Sequence, residues 1–248
     1  MDYALIGISV LPVILLGIYV YLKDKYEKEP FGVLLKAFLG GILAVPIAIL
    51  METWLTSYIG GGPVLQGIYN GYVVAGFSEE FCKLAILTAF IWRNRHFNEY
   101  FDGIVYAAFT GLGFACVENI AYVLASPSFE AGLTTGIVRA LLSVPGHFLF
   151  AVVMGYYFAR AKFDRRHRLR KLFKALFYPL LLHGTFDALL MVSENLSGTD
   201  WYYAAAGVLM IAFICFDLRL WKKCVWKIRY MQERSRMQQI DDTFRPKA

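Results

Sequence analysis

Along the chain, apolar residues come in long blocks separated by short polar breaks. Seven blocks have the length and continuity of membrane-crossing helices: about Tyr3–Leu22, Phe31–Trp54, Val64–Trp92, Phe101–Ala125, Ala131–Ala159, Lys174–Val192 and Trp201–Trp221. A helix rises about 1.5 Å per residue, so the third block overshoots a ~30 Å hydrocarbon core and is expected to tilt or to begin in the interface. Gly60-Gly61-Gly62-Pro63 separates it from the second block. The pattern predicts an all-α fold: a polytopic membrane protein of about seven transmembrane helices over residues 1–230. A polar cytoplasmic tail, 231–248, follows as a short helix or a disordered end. The first block lacks a basic stretch before it and a small-residue cleavage site after it, so it reads as a retained helix.

The breaks alternate in charge. Lys23, Lys25 and Lys28 follow the first block, and Thr53–Pro63 has no base. Arg93 and Arg95 follow the third block, Ser126–Glu130 has no base, and Arg160–Lys174 is densely basic. Ser193–Asp200 again has none, and the chain from Lys222 is basic. Seven spans satisfy this alternation with the amino terminus outside the cell and the carboxyl terminus in the cytoplasm. Composition agrees: of 248 residues, 58% are hydrophobic and 18% charged, against about 25% charged in soluble domains. The net charge of +6 comes from bases that flank spans, so the expected partner is the lipid bilayer and not nucleic acid. Cys82, Cys116, Cys215 and Cys224 form no Cys-x-x-Cys pair and read as small buried hydrophobes.

Some polar residues lie inside the blocks. Ser78-Glu79-Glu80-Phe81-Cys82-Lys83 sits in the third. An unpaired charge at that depth costs roughly 2.5–3.5 kcal/mol on insertion scales. Lys83 is four residues after Glu79 and three after Glu80, so it is placed to pair with either. Glu118-Asn119 lies in the outer half of the fourth block, His147 near the middle of the fifth, and His183 near the middle of the sixth, with Asp187 one turn further out. Pro145 and Pro179 precede the two histidines and interrupt backbone bonds, as helices do where they line a cavity. Ionisable groups on four helices at similar depth point to one site. Asp102, after Tyr100-Phe101, suits a helix cap. Glu52 and Arg139, near outer ends of spans, read as snorkelling residues.

Carboxylates and imidazoles in a wet intramembrane cavity suit hydrolysis. One carboxylate, Glu79 or Glu80, takes a proton from water, and the two histidines donate to a developing oxyanion. The same residues could instead hold zinc, with His147, His183 and a carboxylate (Glu79, Glu80 or Asp187) as ligands. There is no His-Glu-x-x-His helix to favour the metal. Two other classes remain open: a proton-coupled transporter or channel, and a non-catalytic scaffold subunit.

The ordered set resembles the PrsW intramembrane proteases: Glu79-Glu80-x-x-Lys83, then Tyr100-Phe101-Asp102-Gly103-Ile104-Val105-Tyr106, Gly113-Phe114-Ala115 with Glu118-Asn119-Ile120, His147, and His183-Gly184 with Asp187. Tyr21-Leu22-Lys23-Asp24 and Glu29-Pro30 extend the likeness to the first loop. That family is grouped with the CAAX-type prenyl endopeptidases, whose last motif ends in Asn or Asp; here it ends in Asp187, which accepts but does not donate when ionised. The resemblance implies a site of Glu79, Glu80, His147, His183, Asp187 and Glu118, supported by Lys83, Asn119 and Asp102. It also implies an activity: the first, outer cut of a single-pass membrane anti-sigma factor in a bacterial cell-membrane stress response.

Overall fold

A computed structural model describes residues 2–57, 60–164, 166–196 and 202–244. All regular structure among them is helical: α1 (Asp2–Lys23), α2 (Phe31–Thr56), α3 (Pro63–Tyr69), α4 (Ser78–Ile91), α5 (Asp102–Leu124), α6 (Phe129–Leu141), α7 (Ser143–Phe163), α8 (Arg168–Asn195) and α9 (Tyr202–Phe244). A π-helical stretch, Asn70–Phe77, joins α3 to α4 without a break. The chain is thus the all-α polytopic membrane protein expected. Among the described residues, five helical stretches are long and apolar enough to cross a membrane by length and composition: Tyr3–Lys23, Phe31–Thr56, Asp102–Leu124, Phe129–Phe163 and Arg168–Asn195.

Helix α5 is the axis of the bundle. It packs most extensively against α7 and α2, and then against α1. Small residues make this possible. A β-carbon on Gly113 would lie 2.0 Å from the Phe38 carbonyl oxygen of α2, and one on Gly155 of α7 would lie 2.3 Å from the Gly103 carbonyl oxygen. Backbones therefore touch, as at small-residue membrane interfaces. Around them lies an aromatic and aliphatic core that includes Tyr106, Phe148, Phe150, Phe158 and Met154, each almost fully buried.

Two expectations change. The fifth block is two helices, not one. The chain turns at Leu142 (φ −119°, ψ −61°), where Leu142 N–H closes α6 on the Val138 carbonyl and Gly146 N–H opens α7 on the Leu142 carbonyl. Pro145 sits in the first turn of α7, where a missing N–H costs nothing. The 13 residues of α6 extend only about 20 Å, too short for a ~30 Å core. The polar tail is the continuation of the last helix, with α9 unbroken to Phe244. Ser235 Oγ accepts from Phe101 N–H at 2.9 Å, and Gln238 donates to the Asn98 carbonyl at 2.7 Å, so this part of α9 packs on the loop before α5. Trp201, the expected start of the last span, and residues 245–248 of the tail lie outside the described residues.

Candidate active site

The π-helical stretch runs directly into Ser78-Glu79-Glu80, and it lies flat on α8. A β-carbon on Gly71 would meet the Ala188 backbone nitrogen at 2.6 Å, and one on Gly184 would meet Tyr72 Cδ1 at 2.3 Å. Tyr72 Oη and Thr185 Oγ1 are hydrogen-bonded at 2.7 Å across the same seam. Wide-turn insertions of this kind re-aim the residues that follow them and cluster at functional sites. Here the result is that Glu79 and Glu80, at the start of α4, face His183 of α8.

Lys83 ties the carboxylates together. Its Nζ is 3.0 Å from Glu79 Oε2, 2.8 Å from Glu80 Oε1 and 3.0 Å from His147 Nδ1, and 4.1 Å from the Phe114 ring centroid. An ammonium only donates, so His147 Nδ1 accepts, and Nε2–H of the same ring donates to Glu118 Oε2 at 2.7 Å. His183 lies between two carboxylates, with Nδ1 3.0 Å from Glu80 Oε1 and Nε2 3.1 Å from Asp187 Oδ2. The two imidazole rings are perpendicular with centroids 5.1 Å apart, and Phe150 stacks on His183. Glu79, Glu80, Lys83, His147 and His183 are all buried.

A second layer reaches outward from Glu118. Arg139 of α6 donates to Glu118 Oε2 and to Asn119 Oδ1, both at 2.9 Å, and Asn119 donates to the Ser9 carbonyl of α1 at 2.8 Å. Arg139 is therefore a partner of the site and not a snorkelling residue. Glu52 also turns inward. With Glu79, Glu118, Asp187 and Arg139 it lines a cavity of about 410 Å³. A smaller void of about 30 Å³ lies between Glu118, Arg139, His147, His183 and Asp187, with room for about one water. Sequence reading missed both residues because a charge near the end of a span looks the same whether it reaches the interface or a neighbour.

Asp102 does not join this group. It stands sixteen residues before Glu118 on α5, roughly 24 Å away at 1.5 Å per residue. Its Oδ2 accepts from the N–H groups of Asn98 and Glu99 at 2.9 and 2.6 Å, so it caps the preceding turn. It belongs to a separate acidic cluster with Asp24, Glu29 and Glu99, all buried, in which Tyr106 donates to Glu29. Burial lifts the Asp24 and Glu29 carboxyls above the usual range, to about 6 and about 7.

A family model described as "PrsW family intramembrane metalloprotease" matches residues 29–216. The chain is 37% identical over 217 residues to the Protease PrsW of Clostridioides difficile (87% of this chain, 86% of the relative). It is 36% identical over 239 residues to that of Geobacillus kaustophilus (96% of each), and 36% identical over 223 residues to that of Bacillus subtilis (89% of this chain, 95% of the relative). The chain belongs to the PrsW family. Membership bears out the resemblance read from the sequence, and it decides for a protease against the transporter, channel and scaffold readings. No solved structure matches the chain.

The donor set fits the metal that the PrsW family description implies. Glu79, Glu80, His147 and His183 each offer one ligand atom, all within 4.8 Å of one another. Tetrahedral zinc sets ligand atoms roughly 3.4 Å apart, so a contraction of about an ångström would suffice. Glu80 Oε2 is buried without a hydrogen-bond partner. Four carboxylates (Glu79, Glu80, Glu118, Asp187) face Lys83, Arg139 and a His183 whose two nitrogens each meet a carboxylate, so a metal cation taking the place of Lys83 Nζ and of a His183 proton would meet the same negative charge. One rearrangement is required: Lys83 Nζ occupies the space between three of the donors and would have to swing aside.

Proposed function

We propose that this chain cuts a single-pass membrane protein, an anti-sigma factor, at the outer side of a bacterial membrane, and that Glu79 is the general base. The observation that carries this reading is the division of labour between the paired carboxylates. Glu79 lies on the wall of the 410 Å³ cavity, whereas Glu80 is shared between Lys83 and His183. A water in the cavity is within reach of Glu79, and the peptide carbonyl is polarised by an N–H of His183, because the one N–H of His147 is held by Glu118. Glu118 and Asp187 hold those rings in position from their far nitrogens. Glu80 fixes the spacing of Lys83 and His183. Zinc, when bound by His147, His183 and a glutamate, would supply Lewis-acid polarisation and an acidified water. The catalytic unit is residues 1–230, oriented with its amino terminus outside and its basic tail, 231–248, in the cytoplasm.

The test is cleavage of a single-pass anti-sigma factor in membranes by Glu79→Gln and Glu80→Gln, each at normal abundance. General-base removal lowers turnover by about 100-fold or more. Cleavage left intact by Glu79→Gln would sink the assignment of the base, and cleavage left intact by both variants would sink the site. Removing metal with a chelator should abolish cleavage and zinc should restore it, with about one zinc per chain by elemental analysis.

A further inference from the structure

Helices α1 and α2 both pack on α5 but scarcely touch each other. Between them is a slot of about 420 Å³ lined by apolar residues, including Val10, Gly17, Tyr21, Phe31 and Phe38, and by Phe109 of α5. Along α1 the slot runs from Tyr21 to Val10, eleven residues or roughly 16 Å, which is about half of a ~30 Å hydrocarbon core. It thus has the length of one leaflet. At its mouth the Asp24–Pro30 connection ties the two walls together, and Lys28 stands over Tyr21 with its Nζ 4.5 Å from the ring centroid. Lys25 and Lys28 are exposed there, Lys28 donating to the Tyr21 carbonyl; Glu27 is exposed too but its carboxylate accepts from Asn98, and Asp24 and Glu29 are turned inward. Lysines at this end of a span are ordinary. Their position above a one-leaflet apolar slot is specific.

We infer that the slot between α1 and α2 holds one acyl chain of an anionic phospholipid, with Lys28 against the phosphate. A volume of about 420 Å³ spread along roughly 16 Å gives a cross-section of about 26 Å², which suits one acyl chain and is far narrower than a partner helix, about 10–12 Å across with its side chains. The slot lies on the α1–α2 side of α5 and shares no lining residue with the cavity at Glu79, so this site is independent of the chemistry proposed above.

Gly17 provides the test, because a β-carbon there meets only a Leu112 methyl at 4.0 Å. The full chain, stripped of lipid in a neutral detergent, is mixed with dioleoyl phosphatidylglycerol or dioleoyl phosphatidylcholine, and bound lipid is counted by native mass spectrometry. The wild type should hold one phosphatidylglycerol, about fivefold in preference to phosphatidylcholine, the ratio expected for one lysine near the headgroup. Gly17→Phe should lose that lipid while keeping its helix content, and Lys28→Gln should keep a lipid but lose the preference. Ile18→Trp, on the same wall at a position 51% exposed, replaces Gly17→Phe if the latter does not fold. Equal binding of the two lipids by the wild type, or an unchanged lipid count in the plugged variant, would overturn the proposal. So would a photo-crosslinker at Ile18 that captures a protein helix in native membranes.

Discussion

Lys83 makes three polar contacts of 2.8–3.0 Å in a site where it is almost fully buried. Removing one partner of a buried ion pair leaves the others uncompensated and costs about 3–5 kcal/mol. Lys83→Met should therefore lower the melting temperature in detergent sharply, and added zinc should recover part of the loss by supplying the missing positive charge. Equal melting temperatures for variant and wild type would contradict the central place given to Lys83. Pairing of Lys83 with the glutamates was legible in the sequence, because residues three and four apart on a helix face each other. So was the convergence of Glu79, Glu80, Glu118, His147, His183 and Asp187, because ionisable groups are rare enough inside apolar blocks to be informative. The roles of Arg139 and Glu52 were not legible. Their partners are set by tertiary packing, and a snorkelling charge has the same sequence signature.

Among elements, the π-helical stretch has no sequence signature of its own. It depends on close contact with α8, which single-residue patterns do not encode. Gly71→Val would push Cβ into the Ala188 backbone. Overpacking of this kind costs about 1–3 kcal/mol, and the displacement should also separate Glu80 from His183, so cleavage should fall further than stability does. The α1–α2 loop makes a separate prediction from its acids. Asp24 and Glu29 titrate near 6 and 7, above the ordinary carboxylate range, because they are buried. The folded chain therefore holds protons that the unfolded chain has already released, and stability falls as pH rises through 6 to 7. The groups facing them are Glu27, Lys28, Asp102 and Tyr106. Thermal melting from pH 5 to 8 should decline across that window, and Glu29→Gln should flatten the decline. A melting temperature that rises with pH there would contradict it.

For the whole molecule, the hydrophobic blocks gave the class of fold correctly, since length and continuity are what the bilayer demands of a span. They did not show the turn at Leu142, because the apolar run passes through it unbroken. They also did not show that the polar tail continues α9, because beyond the buried Met231 its face is held by the Asn98–Phe101 loop through Ser235 and Gln238. Ending the chain after Tyr230 should expose that loop. Limited proteolysis between Arg93 and Tyr100 should speed up by about tenfold, which corresponds to roughly 1.4 kcal/mol of local stability.

The hydrogen-bonded path that starts at the Ser9 carbonyl and passes through Asn119, Arg139, Glu118 and His147 to Lys83 also bears on genetics. It makes the first helix part of the mutational target of the enzyme. Ser9 is buried and lies upstream of Glu29, where the family match starts. A screen for inactive alleles should still return bulky substitutions at that position, with abundance and membrane insertion preserved. A protein in which residues 1–23 are exchanged for an unrelated membrane anchor should insert normally and cut poorly.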